Sequence, residues 1–215
     1  MGTQEQETRR KAEHIAAEAN EVRRRTRDLV IDALRSGKDS AGRLTDTAQR
    51  VLEGAWRGVE NVAEEKRADV FRDVIDGLSE ALSRGAYAVK LTVEEAGGRG
   101  QSYLEDEIKG ATQDLRTLES IFVERIEALV RSSANTTSQQ TSDLINHARN
   151  AVSGIRPQIE SAIEAAEKHP LGLAKETASV ASGVSRRAAG SLLQGIAGVL
   201  GDLGDTVGGG SKADQ

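Results

Sequence analysis

The sequence predicts an all-α protein, and three observations support that prediction. The chain of 215 residues contains only two prolines, whereas sheet proteins recruit proline, glycine and asparagine into their many turns. Residues that lose little entropy in a helix, alanine and glutamate among them, are abundant. Apolar residues also recur at steps of three and four along most of the chain, as they do on one face of a helix. We therefore expect an elongated antiparallel bundle of long amphipathic helices.

The composition predicts a thin core. Leucine, isoleucine, valine and phenylalanine supply 47 of the 215 residues, close to the level of roughly 20% below which chains tend to be disordered. Aromatic residues make up 2%, which argues against an enzyme with a deep apolar ligand pocket. The net charge of −5 is too small to force the chain to expand.

The first helix is expected from about residue 5 to residue 35. Gly37 suits the end of a helix and Asp39 or Ser40 the start of the next one, which predicts a break near residues 37–40. The apolar stripe of this helix consists of Ile15, Ala19, Val22, Thr26, Leu29, Val30 and Ala33.

A second helical stretch covers roughly residues 41–96. The polar run 64–69, with Lys66 on the apolar stripe, indicates a hinge or chain reversal between two helices, although one continuous helix also fits. Within this stretch, Gly54 and Gly58 are spaced so that another helix backbone could approach closely. The stripe contains Leu44, Ala48, Leu52, Ala55, Val59, Val62, Val70, Val74, Leu78, Leu82, Gly85, Val89, Val93 and Ala96.

Glycines at 97, 98 and 100 predict a break at 97–101, before a capping box formed by Ser102 and Glu105. The main helical region therefore spans residues 1–131. Its last stripe is the most regular in the chain and consists of Leu104, Ile108, Ala111, Leu115, Leu118, Phe122, Ile126 and Leu129.

The remaining chain divides into three parts. Residues 132–142 are polar and non-periodic, which predicts a linker, and Thr137 with Gln140 forms a candidate capping box at its end. Residues 143–207 are expected to form C-terminal helices with a kink at Pro157 and a glycine-rich end. Residues 208–215 are expected to be a disordered tail.

No residue pattern points to catalysis or to a cofactor. The chain has no cysteine, and none of the three histidines, which we expect to be exposed, has a partner at metal-ligand spacing. The adjacent carboxylates diverge by about 100° on a helix. We therefore predict that the protein is not an enzyme and has no catalytic, metal or cofactor-binding residue and no small-molecule substrate.

Two segments are candidate interaction surfaces. Arg23, Arg25 and Arg27 flank an apolar stripe, which suits salt bridges along a bundle edge or a helix that binds an interface. Nucleic acid is a weaker interpretation because the chain is acidic. The glycine-rich end carries Leu192, Leu193, Ile196, Val199, Leu200 and Leu203. Its balanced charge favours packing or self-association over binding to an anionic membrane.

The segment from Gly77 to Leu118, read as GLSEAL…LTVEEAGGRG…YLEDEIKGATQDLRTLE, resembles a family of functionally uncharacterised bacterial helical proteins. This resemblance covers about half of the chain and implies no activity. In its size, alanine-rich amphipathic helices and lack of cysteine, the chain is also similar to phasins. That likeness implies coating of polyester storage granules.

These observations lead to a functional expectation. The protein is expected to be a cytoplasmic helical structural or interaction protein, since the first twenty residues contain no apolar run. It would self-associate through the 104–129 and 192–207 faces, or coat an apolar granule or lipid surface as phasins do. The alternative is a partly disordered stress or scaffold protein that becomes ordered on a protein partner.

Overall fold

The computed structural model describes residues 3–35, 44–98, 105–133, 137–168 and 195–200. No strand occurs within these ranges, so the all-α prediction is confirmed. Residues 195–200 form a short helical segment. The six longer helices are α1 (Thr3–Glu18), α2 (Val22–Arg35), α3 (Leu44–Glu60), α4 (Glu64–Gly98), α5 (Glu105–Ser132) and α6 (Ser138–Lys168).

The prediction of one continuous helix over residues 5–35 is wrong, because the chain turns back between α1 and α2. Ala19 and Glu21 adopt φ values of 49° and 47°. These values lie in the left-handed region, which residues other than glycine enter only at a cost in free energy. Arg25 in α2 then forms an ion pair with Glu18 at the end of α1. The apolar steps run unbroken through this turn, so the periodicity did not reveal it.

A second reversal separates α3 from α4, but it lies earlier than the hinge predicted at 64–69. The turn falls at residues 61–63, and residues 64–69 form the start of α4. Leu44, at the beginning of α3, consequently lies beside Gly85 in α4. Glu64 and Glu65 occupy the first turn of α4, where negative charge is favoured by the helix dipole.

The other predicted boundaries have mixed outcomes. The break near 37–40 lies outside the described residues, as do the capping box at Ser102, most of the break at 97–101 and the tail. The linker expected at 132–142 is too long, since α6 already begins at Ser138. The capping box predicted for Thr137 and Gln140, at the start of α6, is confirmed. The Gln140 backbone N–H donates to Thr137 Oγ1 at 3.2 Å, and the Thr137 N–H donates to Gln140 Oε1 at 3.0 Å.

The six helices form three stacked helical hairpins, which we call hairpin 1 (α1–α2), hairpin 2 (α3–α4) and hairpin 3 (α5–α6). Hairpin 2 lies in the middle, because α1 and α5 pack on α3 while α2 and α6 pack on α4. The bundle is therefore antiparallel within each hairpin and parallel within each layer. One side-chain pair marks each contact between hairpins: Glu5–Arg50, Arg23–Glu80, Glu53–Arg125 and Asp76–His147.

The predicted stripes form the core, but hairpin 2 buries more than one stripe. Phe71 and Ile75 of α4 are fully buried although they lie beside the predicted stripe, because α4 packs against α2, α3 and α6. Phe71 meets Trp56 edge to face, with ring centroids 4.7 Å apart. Within the described chain, Tyr87 is the large apolar side chain that remains exposed.

Hairpin 1 approaches hairpin 2 at glycines. A Cβ added at Gly54 would overlap the carbonyl oxygen of Arg9 and lie 3.1 Å from the Ala12 Cβ. A Cβ added at Gly58 would likewise overlap the carbonyl oxygen of Glu13, four residues further along α1. A Cβ added at Gly77 of α4 would overlap the carbonyl oxygen of Arg23 in α2. The close approach predicted for Gly54 and Gly58 is thus confirmed, and it sets the distance between α1 and α3.

Candidate interaction surfaces

The arginine cluster predicted as an interaction surface lies along the edge of hairpin 1. The Arg23 Nε donates to Glu80 Oε1 of α4 at 2.9 Å, and this bond raises the pKa of the Arg23 guanidinium above its ordinary value. Arg27 pairs with Asp28 at 2.7 Å, and Arg25 pairs with Glu18 of α1. The three cations thus bind carboxylates of their own chain, and their use by a partner stays a prediction.

The glycine-rich end is described only over residues 195–200. Ile196 and Leu200 are buried in the common core, and Val199 is partly buried against it. The other predicted surface residues of this segment, Leu192, Leu193 and Leu203, lie outside the described residues. Where it is described, this apolar face packs on the chain's own bundle.

A groove of 540 Å³ runs along the outer face of hairpin 1, between α1 and α2. Ala12 and Ala16 face α3, so side chains about half a turn away on α1 point out of the stack. Apolar atoms of Ile15, Leu29 and Ala33 line the groove. Its charged lining has three carboxylates against two cations: Glu7, Asp28 and Asp32 against Lys11 and Arg25.

A groove of 550 Å³ lies on the opposite outer face, between α5 and α6 of hairpin 3. Val123 and Val152 supply its apolar lining. Its charged lining has three cations against one carboxylate: Arg116, Arg149 and Arg156 against Glu119. The two ends of the stack therefore carry grooves of similar size and opposite charge.

One charge at each end has no ion pair within the described chain. Asp32 in the α1/α2 groove and Arg149 in the α5/α6 groove are both exposed. The other cations of the α5/α6 groove are paired: Arg156 Nε donates to Glu119 at 3.2 Å, and Arg116 pairs with Glu167. Asp32 and Arg149 can therefore accept partners from outside the chain without breaking an ion pair among these residues.

A carboxylate of hairpin 3 caps the first helix of hairpin 2. Asp114 of α5 accepts a hydrogen bond from the Leu44 backbone N–H at 2.7 Å and further bonds from the Thr45 N–H and hydroxyl. Burial raises the pKa of the Asp114 carboxyl above its ordinary value, against the opposing effect of the bonds from Thr45 and Leu44. The contact satisfies backbone donors at the start of α3 and fixes the register of α5 on α3.

Replacing Asp114 with asparagine is expected to change the pH dependence of stability. Because burial raises the pKa of Asp114, the folded protein binds the Asp114 proton more tightly than the unfolded chain does. The folded protein pays no cost for burying a charge while this carboxyl is neutral. As the pH rises from about 4 through the raised pKa, wild type should lose stability relative to Asp114→Asn and then stay level. Urea unfolding at several pH values measures this difference, and a constant difference would contradict it.

The structure describes two of the three histidines, and both lie beside carboxylates. In the described chain, no group of three or more histidine, aspartate and glutamate side chains could hold a metal ion. His14 is exposed and pairs with Glu18 at 3.0 Å. His147 is half-buried and its Nε2 lies 2.8 Å from Asp76, so the prediction of an exposed residue is wrong there. His169 lies outside the described residues.

Asp32, Asp114 and Arg149 were not predicted as site residues from the sequence. Each lies among other charged residues on a polar helix face, where nothing in the sequence distinguishes it from a solvated charge. Their positions follow from the order of stacking, which brings α5 onto α3 and places one face of hairpin 1 and one face of hairpin 3 at the two ends of the six-helix stack. An apolar pattern alone does not contain that order.

The helices described by the structure include none that is both long and apolar enough to cross a membrane. The model of a family of unknown function (DUF6781) matches residues 1–208, and the chain belongs to that family. No curated protein and no solved structure matches the chain.

Proposed function

We propose that this member of the family is a non-enzymatic structural protein that acts by self-association through the outer faces of its hairpin stack. The two open grooves at the ends of the stack carry this proposal. Each combines apolar atoms with a charged rim, the arrangement typical of protein interfaces. Hairpins 1 and 3 already meet hairpin 2 through helix faces bridged by acid–base pairs.

The proposal moves self-association away from the surfaces expected from the sequence. Ile108, Leu115 and Ile126 of the 104–129 face are buried within the chain. Ile196 and Leu200 of the 192–207 face are buried as well. These buried residues are not free to contact a second copy in this fold, whereas Asp32 on the outer face of hairpin 1 and Arg149 on that of hairpin 3 are exposed.

Sedimentation velocity over a range of protein concentrations tests the proposal. We expect the mean mass to rise above the 22.9 kDa of one chain as the concentration increases, because association obeys mass action. A mass of one chain at every concentration up to the solubility limit would overturn it.

A second candidate is a phasin-like coat on an apolar granule or lipid surface. The amphipathic helices support it: separated hairpins would present Val74, Leu78, Leu118 and other apolar residues that the closed bundle buries. Flotation of a lysate on a density gradient tests this candidate. Recovery in the light fraction would support it, and recovery at the bottom would discard it.

The alternative of a scaffold that becomes ordered only on a partner predicts a different property of the isolated protein. Far-ultraviolet circular dichroism would then show low helicity, whereas a stacked bundle with this core predicts high helicity and a cooperative melt. The fully buried Phe71, Leu78 and Phe122 favour the stacked bundle, because they pack without any second chain.

A further inference from the structure

We infer that the outer face of hairpin 1 in one copy docks on the outer face of hairpin 3 in the next, so that copies add head to tail. This inference rests on the proposed self-association and specifies its contact. The occupant of each groove is a second copy of this chain.

The three hairpins of one chain already stack in a repeating order. Hairpins 1, 2 and 3 follow one another with α1, α3 and α5 in one layer and α2, α4 and α6 in the other. Hairpin 1 of a second copy, placed on hairpin 3, would continue both layers in the same direction. The proposed contact therefore repeats an arrangement that the chain already uses twice.

The contacts between the hairpins of one chain share a chemical feature. Every layer contact between hairpins contains at least one acid–base pair, for example Glu5 with Arg50 at 2.7 Å and Asp76 with His147 at 2.8 Å. Such pairs contribute more to register and specificity than to affinity. A continued stack would use the same kind of pair, and Asp32 and Arg149 are the charges that remain to form it.

Charge complementarity between the two faces also supports the contact. The α1/α2 groove is lined by three carboxylates and two cations, whereas the α5/α6 groove is lined by three arginines and one carboxylate. In the second layer, the carboxylates of α2 would therefore lie against the arginines of α6, with Asp32 opposite Arg149.

The same charges disfavour a closed dimer through like faces. Two α5/α6 grooves facing each other would bring Arg149 and Arg156 of both copies together, at the cost of like-charge repulsion. A contact between two different faces does not close on two copies and produces rings or open filaments. Assembly should therefore continue beyond the dimer as the concentration increases.

Charge reversals test the contact directly. Arg149→Glu and Asp32→Arg should each weaken association by about tenfold, because each replaces an attraction with a repulsion at the interface. Both side chains are exposed, so the fold is expected to persist, and melting followed by circular dichroism checks this. Arg57→Glu, an exposed reversal on hairpin 2, is the matched control and should associate like wild type.

Mixing the two variants separates this contact from other modes of association. In an equimolar mixture, the Asp32 face of the first variant meets the Arg149 face of the second, and the two reversed faces also match. Sedimentation velocity should then show assembly restored to within about threefold of wild type.

The outcomes distinguish the two proposals. If wild type and both variants associate equally well, the head-to-tail contact is overturned and the proposed self-association still stands. Variants that stay apart when mixed would also overturn the head-to-tail contact. Wild type that remains a single chain throughout would overturn the proposed function and this inference with it.

Discussion

Replacing Gly54 and Gly58 together with alanine is expected to lower the free energy of unfolding by about 2–6 kcal/mol, at the usual 1–3 kcal/mol for each overpacked site. Each new Cβ would overlap a backbone carbonyl oxygen of α1, at Arg9 and at Glu13. A backbone atom cannot rotate away as the end of a side chain can, so α1 must move off α3. Urea unfolding monitored by circular dichroism measures the loss.

Two other helical glycines provide matched controls for this pair. A Cβ added at Gly110 of α5 or Gly154 of α6 would meet no atom within 4 Å. Alanine at either position should raise the free energy of unfolding by about 0.5–1 kcal/mol, because it restricts the unfolded chain and favours the helix. Equal effects at all four positions would contradict the close approach of α1 and α3.

The comparison of these glycines also shows what the sequence could predict. The spacing of Gly54 and Gly58 correctly suggested a close helix contact, because two small residues one turn apart expose a strip of backbone. It did not identify the partner helix, which depends on the turn at residues 19–21. That turn contains no glycine or proline. The free energy that its left-handed residues cost is offset by contacts between residues distant in the sequence.

The burial of one face of each helix was also predictable from the sequence, whereas the burial of a second face was not. One stripe per helix follows from the 3.6-residue period, and residues such as Leu52, Leu82 and Ile126 are buried as expected. The second buried face of hairpin 2, which includes Phe71 and Ile75, arises because hairpin 2 has a neighbour on each side. Position in the stack is a tertiary property, and periodicity does not encode it.

The candidate interaction surfaces were less predictable than the core. The arginine cluster was visible as a run of like charge, yet in the fold Arg23 and Arg27 lie near Glu80, 53 or more residues away. Asp32 and Arg149 are isolated charges in the sequence. They become candidates only because their two faces lie at the ends of the six-helix stack.

Replacing Phe71 with alanine is expected to cost about 3–5 kcal/mol of stability, the usual range for a fully buried phenylalanine. Its ring is completely inaccessible and meets Trp56 edge to face. The change would leave a cavity within hairpin 2, between the part of α3 that precedes the shared turn and the part of α4 that follows it. Because hairpins 1 and 3 both pack on hairpin 2, the damage should spread to the whole stack.

Trp56 is the single tryptophan of the chain, so its fluorescence reports on hairpin 2 while circular dichroism reports on all helices. In Phe71→Ala the two signals should shift together to lower urea, since loss of the central hairpin removes the surface on which the others rest. Tyr87→Ala, at an exposed site of α4, should change stability by about 0.5 kcal/mol or less. A fluorescence transition that shifts while the helical signal does not would mean that the outer hairpins fold without the middle one, contrary to the stacked arrangement.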